Sequence, residues 1–255
     1  MQRSISKILT VGVLCASGLS VASSAGAITG GTTDLDNHPN VGGLVSATQY
    51  SDGTWIYCSG TLISPTVFLT AAHCGDDGES VRVTFDTAYQ AGDEVFMGTF
   101  EADPAYSQVQ SDPHDIAVVV FGEPIMNIKP ALLPAAGSLS TLPKSQPFTA
   151  VGYGAYEVTN EPGGHQYLYD DVRMTAVGRL NAVNPAWLRI SMNPALNDGG
   201  TCYGDSGGPN FLGTSDTVAA ITITGDAVCR ATNVVYRLDT RAARMFLVQQ
   251  HVVVP

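Results

Sequence analysis

TCYGDSGGP, running from Thr201 to Pro209, sets Ser206 among glycines, and three readings of it are open. Gly204-x-Ser206-x-Gly208 has the spacing of a nucleophile elbow, the strained strand-to-helix turn at the head of a parallel sheet. With its neighbours the stretch also suits a serine loop whose partners lie earlier in the chain, where glycines let the backbone approach a substrate. It could also be a plain glycine-rich turn. The elbow needs its acid and its histidine after the serine. Only 49 residues follow Ser206, and their sole histidine is His251, four positions from the end. That tail also lacks the alternating strands and helices of a parallel sheet. The elbow reading fails.

The 255 residues are enough for one large domain or two small ones. Charged residues make up 14% and hydrophobic residues 44%, with 27 Gly and 14 Pro, which suits a turn-rich β protein. A formal net charge of −11 and the lack of any basic run argue against a nucleic-acid partner. Arg3 and Lys7, the apolar Ile8–Ala22 and the small-x-small Ala25-Gly26-Ala27 read as a signal peptide over residues 1–27. Losing its two cations takes the net charge from −11 to −13. No later stretch approaches ~18 consecutive apolar residues, so a secreted, extracellular protein without a membrane partner is expected.

Cys15 would leave with that peptide. Cys58, Cys74, Cys202 and Cys229 remain, and an oxidising compartment suggests two disulfides, for which three pairings are open. There is no C-x-x-C and no histidine pair at helical ligand spacing, so neither metal nor cofactor is expected.

From Val41 onward short β-type runs recur between turn residues: VGGLVSATQY, TWIYCSGTLIS, TVFLTAAHC, SVRVTFD, DEVFMGTF and IAVVVF. FTAVGYGAY, YDDVRMTAVGRL, WLRISM, TVAAITIT and NVVYRL follow a proline-rich Lys129–Pro147. This rhythm reads as all-β, a barrel or a sandwich, in two halves. The one good helix is TRAARMFLVQQHV, with Asp239 or Thr240 as its cap. Packed halves would leave a cleft between them, a common place for a site.

Partners for Ser206 lie upstream. TAAHC puts His73 after an apolar strand and beside Cys74, and HDIAVVVF puts Asp115 at the entrance to another. These stretches, in the order His, Asp, Ser, resemble the chymotrypsin/trypsin-like serine proteases. ITGG at Ile28 looks like the family's amino terminus, with Thr29 for the usual valine, and VGYG at Val151 like the strand opening its second half. The resemblance covers essentially the whole chain after residue 27. It implies two six-stranded antiparallel β-barrels packed around a cleft, with a short C-terminal α-helix. The protease domain would span 28–255, with barrels at about 28–135 and 147–255.

The resemblance further implies a secreted serine endopeptidase with a His73, Asp115 and Ser206 triad. The Gly204 and Ser206 N–H groups would form its oxyanion hole, Cys58–Cys74 and Cys202–Cys229 its disulfides, and Ile28 with Asp205 an activation pair. A weak serine nucleophile needs a base near neutrality, which His73 supplies, oriented by Asp115. Polypeptide substrates, protein protease inhibitors as partners and a monomeric state are expected. A catalytically silent homologue that only binds partners is the alternative.

The family's pocket base falls on Gly200, where trypsin-like enzymes carry an aspartate. Val234 falls on a wall often made of glycine, and Thr201, Thr222, Ile223, Thr224 and Gly225 on the adjoining surfaces. Counting back from Cys229 puts Ile223 where the family has a serine touching the catalytic aspartate, and a shift of one puts Thr222 there, preferred for its hydroxyl. Cleavage after small or medium apolar residues, not Lys or Arg, is the expectation, with Arg230 the dissenting detail. His114 reads as a loop residue, His38, His165 and His251 as surface or packing residues, and the VGYG and LISP segments as scaffold.

Overall fold

The computed structural model describes residues 28–255; the expected signal peptide lies outside them. A two-residue strand β1 (Thr32–Thr33) precedes six strands, β2 (Val41–Val45), β3 (Ile56–Ser64), β4 (Val67–Thr70), β5 (Ser80–Thr84), β6 (Phe96–Ala102) and β7 (Ala117–Phe121). These six close an antiparallel barrel in the order β2-β3-β4-β7-β6-β5. VFLT and AVVVF are apolar almost throughout because β4 and β7 are neighbours in a closed wall with little solvent face.

The second half contributes β8 (Pro147–Gly152), β9 (Glu157–Glu161), β10 (Gly164–Leu168), β11 (Met174–Val183), β12 (Trp187–Ser191), β13 (Pro209–Leu212), β14 (Val218–Gly225) and β15 (Thr232–Arg237). β8-β11-β12-β15-β14-β13 returns to β8 and closes a second six-stranded barrel. β9 and β10 form a hairpin outside both barrels. β1 pairs with β11, so the start of the described chain is stitched to the second barrel.

Helix α1 (Arg241–Gln249) is capped by Thr240, whose Oγ1 accepts from the Ala243 N–H. Asp239, the other candidate cap, instead accepts from the Leu139 N–H and from Arg237. Ala243, Phe246 and Leu247 of α1 join one buried cluster with Leu62, Phe68 and Phe100 of the first barrel and Phe211 and Ile221 of the second. Phe148, Leu188, Ile190 and Val235 fill the second barrel.

Arg173 bolts the barrels together. Its guanidinium, fully buried at the start of the β11 region, bonds Asp34 at 3.0 Å, Asp36 at 2.7 Å and the carbonyls of Val41 and Phe85. A buried cation persists only when its donors are matched in this way.

Candidate active site

His73 lies on a single 3₁₀ turn, Ala72–Cys74, directly after β4. The Cys58–Cys74 disulfide fastens that turn to β3. The Asp115 carboxylate, 3% exposed just before β7, accepts from the His73 backbone N–H at 3.1 Å and meets Nδ1 at 2.8 Å. An ionised carboxylate only accepts, so Nδ1 carries the proton and Nε2 is left with its lone pair.

Ser206 arrives from the other barrel. Its carbonyl accepts from the Ser59 N–H of β3 at 2.8 Å, and Ser59 Oγ donates to the Gly204 carbonyl at 2.9 Å. Thr222 of β14 braces the far side, its carbonyl accepting from Gly207 and its N–H donating to the Gly208 carbonyl. The amides of Asp205, Gly207 and Gly208 are thus used inside the fold. Those of Gly204 and Ser206 have no acceptor among the described residues. Gly204 has φ +94°, and a Cβ there would stand 2.9 Å from the Gly154 Cα, so the loop requires glycine.

His73 and Ser206 line one cleft of about 680 Å³. Thr201, Thr222, Ile223, Thr224 and Gly225 line it too, with Tyr203, Asp226 and the Cys202–Cys229 disulfide. Gly200 and Val234 are not among the residues that line it. Gly200 pairs with Thr29, and its missing Cβ would point into the Met192 side chain. Val234 sits in β15 between Arg189 and Thr224 as part of the barrel wall. The Thr222 hydroxyl also goes elsewhere than expected, accepting from Asn210 Nδ2 at 3.0 Å. The β14–β15 register shifts between Thr222 and Thr224, which leaves Ile223 partly exposed in the cleft. Arg230 is exposed and does not line the cleft.

Asp205 is fully buried, accepting from the Gly154 and Cys202 N–H groups at 2.8 Å each, with no cation paired to it among the described residues. Burial pushes its carboxyl up to about 7, against which the two amides pull. Gly152 and Gly154 make room, since a Cβ on either would run into the carboxylate. Ile28 is fully buried near Met174 and Ala176, with φ at 73°, a left-handed value costly for a β-branched residue. Its neighbour Thr29 accepts from the Gly200 N–H at 3.1 Å, which lays this segment alongside the strand leading to the serine loop.

Ser59, Gly152 and Gly154 escape a reading of the sequence, although YCSG and VGYG carry the small residues such a cradle needs. His114 does more than fill a loop: its Nδ1 meets Asp103 at 3.0 Å.

A Trypsin family model matches residues 32–246. The chain therefore belongs to the trypsin family. A trypsin of Phaedon cochleariae is 30% identical over 176 residues, 61% of this chain and 64% of that protein, so the match spans under two thirds of that relative. A solved HL collagenase structure shares the fold at a TM-score of 0.62 and 20% identity, over 89% of this chain and 96% of that one. The two-barrel, chymotrypsin-like architecture is thus established for this chain. Among the described residues no helix is long and apolar enough to cross a membrane.

Proposed function

We propose that this chain is a secreted serine endopeptidase acting through His73, Asp115 and Ser206. One observation carries the reading: the His73–Asp115 contact of 2.8 Å, in a cleft that Ser206 shares. Ser206 Oγ would attack the peptide carbonyl as His73 Nε2 takes its proton, and the resulting imidazolium, stabilised by Asp115, would return that proton to the leaving amine. The unbonded Gly204 and Ser206 amides suit the developing oxyanion, where losing one donor typically costs ~10²–10³ in rate. Water would then release the acyl group by the same proton path.

The cleft favours uncharged side chains before the cut. On the β14 side its walls are Ile223, Thr222, Gly225 and the Cys202–Cys229 disulfide. Asp226 is the acid on that side, and three loop amides already occupy its oxygens. Substrates with Ala, Val or Leu before the cut should therefore outperform those with Arg or Lys.

Release of the Ile28 amine would complete the site. The strained φ of Ile28 exists only while a peptide bond precedes it, and Asp205 is a buried carboxylate in want of a cation. An ammonium at Ile28 answers both. A cut after Ala27 would supply it.

The test is hydrolysis of a mixed peptide library by the protein beginning at Ile28. Ser206→Ala and His73→Ala should each lower the rate by several orders of magnitude with the fold retained. Near-normal cleavage by Ser206→Ala would end the proposal. Failure of an organophosphorus reagent to label Ser206 would favour a silent, partner-binding protein instead.

A further inference from the structure

The β9–β10 hairpin belongs to neither barrel, yet it is not free. Tyr167, paired with Val158 across the hairpin, reaches two loops that flank the cleft. Its hydroxyl donates to the Ala227 carbonyl at 2.7 Å. Its ring meets that of Tyr203 edge-on, with centroids 4.7 Å apart and planes at 72°. Beneath, Val158 and Ala155 bury themselves on the Cys202–Cys229 disulfide, and the Ala155 N–H donates to the Tyr203 carbonyl at 2.8 Å.

Tyr203 and Asp226 both line the cleft, one just before Gly204 and the other just before Ala227. Asp226 anchors the base of its own loop by accepting from the Arg230, Ala231 and Thr232 amides. The tip at Ala227 is exposed and is held by Tyr167. Tyr203 is half exposed, and Tyr167 packs against its ring. One side chain therefore links the two loops that bring Tyr203 and Asp226 to the cleft.

We infer that the hairpin is a strap across these two loops and that Tyr167 is a positioning residue that sets substrate selectivity, by holding Tyr203 and the Ala227 loop as a narrow outer wall. The inference rests on the peptidase reading of the same cleft. A wall held in place excludes bulky side chains before the cut, and a released wall admits them.

Three proteins decide it: the wild type, Tyr167→Phe and Tyr167→Ala, each first labelled at Ser206 with an organophosphorus reagent. Unlabelled portions of each are then assayed on peptides differing only in Ala, Leu or Phe before the cut. In Tyr167→Ala the kcat/KM ratio of the Phe to the Ala peptide should rise about tenfold, the scale at which a hydrophobic pocket discriminates by size. The change should fall in KM and not in kcat. Tyr167→Phe keeps the ring and loses the bond to Ala227, so a rise of about threefold is expected, the worth of one exposed hydrogen bond. If Tyr167→Ala does not fold, the Tyr167→Phe ratio alone decides between a strap and a bystander. Unchanged ratios, or equal losses on all three peptides, would overturn the strap while labelled Ser206 left the peptidase reading standing. A wild type that takes no label would overturn both.

Discussion

Gly200 shows how much hangs on the direction of a single Cα–Cβ bond. An aspartate at this position would have to displace the Met192 side chain, which occupies the place where its Cβ must go. Gly200→Asp should therefore fail to raise cleavage after Arg and should cost roughly 3 kcal/mol or more in a denaturant melt, as an unpaired charge forced into a packed site does. Adding Met192→Ala should recover part of that loss. A Gly200→Asp protein with normal stability and new activity after Arg would contradict the geometry. The same consideration separates what the sequence disclosed about single residues from what it hid. His73, Asp115 and Ser206 stood out through order and neighbours, and the structure brings the first two into contact and all but Asp115 onto one cleft. The choice between Thr222 and Ile223 depended on register, where a slip of one residue turns a side chain to the other face. The irregularity at Ile223 that decides this register leaves no mark in ITIT.

At the scale of elements, the Cys58–Cys74 bridge joins β3 to the turn that carries His73, across a sequence separation of 16. A loop of that size should contribute about 3 kcal/mol. Replacing both cysteines with Ala should lower the denaturation midpoint accordingly and, because His73 sits between the bridge and Asp115, reduce kcat more than it changes KM. A stability loss with kcat intact would show that Asp115 alone holds the imidazole. Most strands were legible because apolar runs alternate with turns, and α1 because Thr240 precedes an apolar, well-spaced segment. The β9–β10 hairpin was not: EVTNEPGGHQYL is polar and barely alternates, and only Pro162, Gly163 and Gly164 hint at its turn. Its order comes from the Cys202–Cys229 surface beneath it, a partner far away in sequence. β1 was equally hidden, being two residues long with its pairing strand beyond both halves of the first barrel's sequence.

For the whole molecule, the proposed Ile28–Asp205 pair would make stability depend on what precedes Ile28. The Asp205 carboxyl is raised from 3.8 to about 7, so between those values the folded chain holds a proton that the unfolded chain releases. With Ile28 still joined to the preceding residue, the contribution of Asp205 to stability should be fully present below about pH 4 and be lost as pH climbs through 7. An ammonium at Ile28 would favour the ionised carboxylate and remove that decline until pH passes the amine's own value. Urea midpoints at pH 4 and pH 7, for chains beginning at Ile28 and one residue earlier, measure the difference. Asp205→Asn should flatten both profiles, and coincident profiles without that substitution would dissolve the proposed Ile28–Asp205 pair. The crossing of β1 onto β11 adds a dimension of time. Strands β2 to β7 find all their neighbours among themselves and can close while the remainder is still being synthesised. Thr32 and Thr33 must wait for Met174 and Thr175. The segment holding Ile28, synthesised before either barrel, thus cannot dock until the second barrel has formed. A site of the proposed kind, dependent on that docking, would be inert in every half-made chain and gain its competence only once both halves are finished.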